Sequence, residues 1–197
     1  MPKGTPLTQE ELERRRGEIC RAAVQLFVEK GFSETSMRQI AEAAGIGKST
    51  IYDYFPSKDE ILIAYVAQEV HRGAGAAEEI MSLDVSVTEK IRRIMRHQLE
   101  SMLANKHMNL KISFEIQRLS PENLQRVQAH RYAYQDRLCD LVKEGIEKGE
   151  FRPVNPLLAM RGMFSFLTTT VYTSRPTGSP EDMLEEVLDI FLKGLLA

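Results

Sequence analysis

Between Thr35 and Lys58 the chain reads T-S-M-R-Q-I-A-E-A-A-G-I-G-K-S-T-I-Y-D-Y-F-P-S-K, and this stretch gathers the residues best suited to chemistry. On a short helix starting near Gly47, Ile51 and Phe55 lie four apart on one face, which the pattern predicts to be buried. The opposite side carries Lys48, Ser49, Thr50, Tyr52 and Tyr54. Hydroxyls and an ammonium reach phosphates and base edges, and tyrosine rings pack on sugars and thymine methyls. The preceding helix, capped by Thr35 or Ser36, has a stripe of Met37, Ile40, Ala41 and Ala44, whose small alanines let a second helix cross closely. Gly45 supplies the sharp turn and Ile46 plugs the corner. A helix, a glycine turn of three or four residues and a helix with hydroxyls and a lysine outward is a helix-turn-helix.

Other candidate chemistry is thin. Gly47-Lys48-Ser49-Thr50 imitates the end of a phosphate-binding loop, but the first glycine that loop needs is Glu42 here, and no strand precedes it. The four histidines, His71, His97, His107 and His130, form neither HExxH nor Glu-x-x-His, so no metal is expected. Cys20 and Cys139 lie too far apart in sequence to suggest a Cys-based zinc site and are read as inert helix thiols, which suits a reducing cytoplasm. No Gly-x-Ser-x-Gly or other catalytic constellation is present, so no enzyme activity and no cofactor are expected.

These residues need a scaffold, and the apolar periodicity describes one. Ile19, Ala22, Ala23, Leu26 and Phe27 follow the spacing of a core-facing helix, as do Ile91, Ile94, Met95, Leu99 and Met102. Leu124, Val127, Leu138, Leu141 and Val142 mark a longer helix; Met183, Leu184, Val187, Leu188 and Phe191 mark the last. No stretch alternates long enough for a strand, so the fold class is all-α. The spacing predicts about nine helices over 8–30, 36–43, 47–54, 57–80, 87–104, 107–119, 121–149, 155–173 and 180–196. Gly31, Gly45, Gly149 and Gly178 are placed just past helix ends, where a left-handed backbone favours glycine. Pro121 and Pro180 open helices behind the caps Ser120 and Ser179. The first three helices are short and the later ones long, which predicts a DNA-binding module over 1–56, with its motif near 36–55, and a helical body over 57–197.

Hydrophobic residues make up 43% of the 197 and charged residues 27%, enough for a packed core. The polar N-terminus predicts no secretory signal, and Leu157 to Tyr172, interrupted by Arg161, is too short to span a bilayer. The net charge of −2 argues against a generally basic coat and a sequence-independent DNA binder. Residues 1–60 hold nine Lys/Arg and ten Asp/Glu, so binding must rest on segregated rather than excess charge. Lys3, Arg14, Arg15 and Arg16 could add an arm on the DNA backbone or form a solvated helix face.

The motif resembles that of a known family. Ile40-Ala41-Glu42-Ala43-Ala44-Gly45, Thr50-Ile51-Tyr52-Asp53-Tyr54-Phe55 and Lys58-Asp59 follow Ile19-x-x-Ala22-Ala23-x-x-Leu26-Phe27-x-x-x-Gly31-Phe32, and together they look like the N-terminal domain of TetR-type transcriptional regulators. The resemblance implies a recognition face of Lys48, Ser49, Thr50, Tyr52 and Tyr54. It places Ser36, Met37 and Arg38 near the DNA, and makes Lys58 a phosphate clamp aided by the positive end of its helix. Asp53 either accepts from cytosine N4 or points aside.

The rest matches only in layout. Helix 155–173 is apolar on more than one face, which predicts burial on two sides. In the resembling family the last two helices form a four-helix bundle with a second subunit, which would use Phe166 and Leu188. The other side would line an effector cavity with Met95, Leu99, Met102, Ile112, Phe114, Tyr134, Phe164 and Thr168; methionines suit an adaptable pocket, although the same stripe also fits plain core. The expectation is a cytoplasmic homodimer on double-stranded palindromic operator DNA, a repressor released by a small apolar or amphipathic ligand. The alternative is a helical-bundle ligand-binding protein or enzyme that merely retains a helix-turn-helix.

Overall fold

The computed structural model describes residues 8–196. Nine helices run through the described residues: α1 Gln9–Lys30, α2 Met37–Ala43, α3 Ile51–Tyr54, α4 Lys58–Met81, α5 Val87–Ala104, α6 Lys106–Ile116, α7 Pro121–Glu147, α8 Pro156–Tyr172 and α9 Pro180–Lys193. There is no strand among these residues, only an isolated bridge between Phe151 and Leu196. The main departure from the spacing is α3. Residues 47–50 turn through bonds from Thr50 N–H to Gly47 O at 3.0 Å and Tyr52 N–H to Ser49 O at 3.3 Å, so only the last turn is α-helical. Positive φ occurs at Gly31, Gly45 and Gly149 but not at Gly178. Gly178 precedes a helix start rather than following a helix end, since Ser179 caps α9.

The chain folds as two compact units. The first comprises the described part of Met1–Glu69 together with Leu110–Gln128; the second comprises Val70–Asn109 and Ala129–Ala197, described to residue 196. The first unit holds the whole helix-turn-helix segment and reaches beyond residue 56.

In the first unit, α1 starts at a capping box in which Thr8 and Glu11 satisfy each other's backbone N–H groups. It buries Ile19, Cys20, Ala23, Val24 and Phe27, against which α2 packs. Ile40, Ile51, Phe55, Ile61 and Leu62 are all fully buried. Each such side chain contributes about 1.5–3 kcal/mol of burial, so the short helices α2 and α3 are held by packing rather than by their own propensity.

The second unit has one continuous core from α5, α7, α8 and α9, including Ile94, Met95, Leu138, Met160, Leu167 and Leu188. Glu150 closes the N-terminus of α5: its carboxylate accepts the N–H groups of Val87 and Thr88 at 2.9 Å each, and the Thr88 hydroxyl at 2.9 Å. Burial pushes the Glu150 carboxyl up, but the hydrogen bonds outweigh it and hold the group below its ordinary range. The Phe151 ring lies against Gly145 so closely that a Cβ there would stand 2.3 Å from it.

Candidate nucleic-acid interface

The turn between α2 and α3 is fixed by backbone chemistry. Gly45 adopts φ +67°, its N–H donates to Glu42 O at 3.2 Å, and Ile46 N–H donates to Ala41 O at 2.9 Å. This pair of bonds closes the last carbonyls of α2, and its left-handed position is what glycine tolerates and other residues resist. Beyond it, Ile51 and Phe55 turn fully inward. Lys48, Ser49 and Tyr52 therefore face solvent, Tyr52 with 51% of its surface exposed. Thr50 and Tyr54 are half-buried at the edges of this face, and Asp53 is exposed.

The residues expected from α2 and α4 fare differently. Arg38 is exposed and paired only loosely with Glu42, at 3.7 Å; such a pair is worth at most about 0.5 kcal/mol and yields readily to a phosphate. Met37 is half-buried. Ser36 is engaged in its own cap, with its hydroxyl at 2.9 Å and its N–H at 2.8 Å from Gln39 Oε1, which leaves it no free donor for a phosphate. Lys58 departs furthest from the clamp role. Its Nζ donates to the carbonyls of Phe32, Ser33 and Thr35 at 2.6, 3.2 and 3.0 Å and lies 4.6 Å from the Phe32 ring centre. All three of its protons serve the loop between α1 and α2.

Of Arg14, Arg15 and Arg16, the first two pair within α1 on its solvated face and the third is tied to α3. Arg14 and Arg15 pair with Glu18 at 2.5 and 3.3 Å. Arg16 donates to Tyr54 O at 2.5 Å, and its guanidinium carbon sits 4.0 Å over the Phe55 ring, so it braces the C-terminal end of α3, where a cation is favoured. Lys3 lies outside the described residues. Sequence spacing gave no hint of the Arg16 and Lys58 braces, because their acceptors are 23 to 38 residues away.

The expected effector residues divide between the units. Met95, Leu99 and Tyr134 are buried in the core of the second unit, with Met102 and Phe164 packed against it; the Tyr134 and Phe164 rings meet edge-on at 6.3 Å. Thr168 is exposed and falls outside the set. Ile112 and Phe114 belong to the first unit, where Ile112 is core and Phe114 is 63% exposed. On α6 the buried positions are Ile112 and Ile116, four apart, which leaves Phe114 on the open side of the helix. Sequence reasoning also missed a cleft of about 360 Å³ between α4 and α7 in the second unit, lined by His71, Glu78, His130, Tyr134 and Arg137. Its signal was the small residues Ala74, Gly75, Ala129 and Ala133, which keep the two helices from filling the space.

Comparison with known proteins agrees with this geometry. Residues 19–65 match the family of bacterial regulatory proteins, tetR family, and residues 84–195 match the tetracyclin repressor-like C-terminal domain. The TetR family transcriptional regulator PfmR from Thermus thermophilus is 30% identical, with 98% of this chain and 100% of that one covered, at a TM-score of 0.70. The chain belongs to the TetR family. The fatty acid metabolism regulator protein of Bacillus subtilis is 24% identical over 182 residues, 90% of this chain and 94% of that protein. The transcriptional regulator FadR from Bacillus subtilis, solved in complex with stearoyl-CoA, shares the fold at a TM-score of 0.79 and 23% identity, with 90% of this chain and 98% of that one covered. The protein is a DNA-binding transcriptional regulator.

For a TetR regulator the last two helices are where a second subunit is expected, and here one of the two expected residues is misplaced. Leu188 is fully buried in the core of its own unit, so it is not available to a partner. Phe166 is half-buried, its ring edge-on to Phe191 at 6.2 Å. The large apolar side chains left open on these helices include Leu158, 70% exposed, and Ile190, 53% exposed. The periodicity that marked Leu188 as buried was sound; it does not say which chain does the burying. Both cysteines are buried. Burial pushes the Cys20 thiol up to about 12 despite the nearby Arg16, which keeps it in the unreactive thiol form. No group of three or more metal-ligating side chains occurs among the described residues, and no helix there is long and apolar enough to cross a membrane.

Proposed function

We propose that this TetR regulator is a cytoplasmic, non-enzymatic repressor that occupies a palindromic operator as a homodimer and leaves it when an amphipathic acyl thioester binds its second unit. The observation that carries the reading is chemical: an outward face of Lys48, Ser49 and Tyr52 stands in the same chain as a helical core rich in methionine. Met95, Met102, Met160 and Met163 line or abut that core, and thioether side chains repack around an inserted chain more readily than branched ones. The similarity to a fatty acid metabolism regulator supports an acyl ligand, and the complex of the structurally similar FadR with stearoyl-CoA supports the thioester. Lys48, Ser49, Thr50, Tyr52, Tyr54 and Arg38 are the DNA-facing residues in this reading; Lys58 and Arg16 hold them in place.

A palindromic site requires two recognition helices roughly 34–36 Å apart, hence two copies. Leu158 and Ile190 are the apolar positions on α8 and α9 that a second copy would cover, so Leu158→Glu is expected to give monomers by light scattering while the monomer still melts cooperatively. The deciding experiment is a footprint of the DNA upstream of the protein's own gene, followed by titration with stearoyl-CoA and with free coenzyme A. One discrete protected site, lost on adding stearoyl-CoA but not free coenzyme A, is the expected result. The coupling is expected at about 1–3 kcal/mol, or about 5–150-fold in DNA affinity. Protection without a discrete site, or a site indifferent to acyl thioesters of every chain length, would overturn the reading.

A further inference from the structure

In the second unit a cleft opens between α4 and α7. Ala74 and Gly75 on α4 face Ala129 and Ala133 on α7, and these small residues leave about 360 Å³ open. That is near the lower end of ligand-sized sites, room for a thioester and the few atoms on either side of it, with the rest of a coenzyme A head outside in solvent. Polar groups converge on it. His71 and His130 stand edge to face, 6.1 Å between ring centres, and neither imidazole has a hydrogen-bond partner among the described residues. Arg137 pairs with Glu78 in the cleft wall.

Tyr134 lines this cleft and is also part of the apolar core. Its hydroxyl oxygen accepts from Gln98 Nε2 at 2.7 Å, while its own proton has no acceptor among the described residues. Burial, partly offset by the Gln98 bond, raises the phenol pKa, so the proton stays in place. A phenol hydroxyl that already accepts one bond keeps its proton to donate, here toward the cleft that Tyr134 lines. Phe164 meets the Tyr134 ring edge-on and packs on the core that holds Met95 and Leu99.

We propose that this cleft is the entry site of the effector, where Tyr134 donates to the carbonyl of an acyl thioester, His71 and His130 flank the head beyond it, and the acyl chain passes Phe164 into the methionine-rich core. The proposal rests on the effector reading above and adds to it the site, its polarity and the residue that reads the carbonyl. Two histidine N–H groups outside and an apolar core inside set the direction: the polar end stays at the cleft.

Two variants test it, with stearoyl-CoA, stearate and free coenzyme A as probes and release from operator DNA as the readout. Tyr134→Phe keeps the ring and removes the donor; one neutral hydrogen bond corresponds to about three- to tenfold in the stearoyl-CoA concentration for half-release. Ala133→Trp fills the cleft from an exposed position and should abolish release. Both variants should bind operator DNA as the wild type does without ligand, and melt at the same temperature within a few degrees. If both are released by stearoyl-CoA as readily as the wild type, the cleft assignment falls while the effector reading stands. If stearate releases the wild type as well as stearoyl-CoA does, the head ends at a carboxylate and the thioester assignment falls. If the wild type responds to neither, the effector reading itself fails and takes this proposal with it.

Discussion

Replacing Lys58 with methionine separates two roles that a lysine at the start of α4 could play. The stem survives and the ammonium is lost. In the structure that ammonium serves three carbonyls, and two of them, on Phe32 and Thr35, belong to buried residues; the third, on exposed Ser33, can regain water. Charge-assisted hydrogen bonds are worth about 1.5–3 kcal/mol each. Freeing the lysine returns about 2 kcal/mol of side-chain entropy, so two unreplaced bonds leave a net loss for Lys58→Met of about 1–4 kcal/mol. For a chain of this size that lowers the melting temperature by about 2–16 °C. DNA binding should weaken as well, because the loop held by Lys58 sets the start of α2. The salt dependence should not change, since no phosphate contact has been removed.

The assay is fluorescence anisotropy of operator DNA over a range of salt concentrations, beside a thermal melt of the free protein. A phosphate-contacting lysine gives the opposite signature: an unchanged melt and a slope of log affinity against log salt that falls by about one. That pair of results would refute the brace and restore the clamp.

Other substitutions probe single statements. Tyr52→Ala should weaken operator binding by about 1–3 kcal/mol with no change in the melt, since half of the side chain is already in water; titration by gel shift checks it. Gly145→Ala forces a methyl to within 2.3 Å of the Phe151 ring, and overpacking of this kind costs about 1–3 kcal/mol, to be read from urea unfolding. The Glu150 carboxyl is held below its ordinary range in the folded state, so its contribution is present above that range and is lost as pH falls through the folded value. Melts from about pH 7 down to about pH 3 should therefore show a loss of stability that Glu150→Gln makes shallower.

The helix pattern was legible in the sequence because each long helix repeats its apolar side chains at a period that only one backbone satisfies. Ser36, Gly45 and Ser179 punctuated it correctly, since caps and left-handed turns depend on the residue itself and its near neighbours. The recognition segment was legible for the same reason: Ile51 and Phe55 inward leave Lys48, Ser49 and Tyr52 outward whatever surrounds them. What escaped was everything decided by distant partners. Leu188 reads as a surplus apolar residue until α5 and α8 are packed on it. Phe114 reads as pocket lining, yet it is exposed, while Ile112 two residues earlier is core. Lys58 reads as a cation free for phosphate until the chain brings three carbonyls from the loop after α1 to its Nζ.

The same distant partners suggest how a ligand could act on DNA binding. In the first unit the beginnings of α4 and α7 are pinned together: Arg126 grips Glu60 through two bonds, at 2.5 and 2.9 Å, and Asn123 donates to Asp59 at 3.1 Å. The bidentate bond holds the Glu60 carboxyl below its ordinary range, a sign that the ionised pair is the stable form. Both helices continue into the second unit, where the cleft lies between their later turns. A head group seated there touches the two elements that Lys58 and Arg126 anchor at their other ends. Filling the cleft is not sufficient, because a ligand shifts an equilibrium only by its difference in affinity for the two states. The head sees much the same walls whether or not the core has repacked. On the proposed reading the acyl chain does not: it would be buried only when the core around Met95 and Phe164 opens to admit it, at about 0.8 kcal/mol for each CH₂ removed from water. Discrimination by chain length should therefore appear in the strength of release more than in occupancy of the cleft, and operator DNA must oppose the chain by the same factor that the chain opposes DNA.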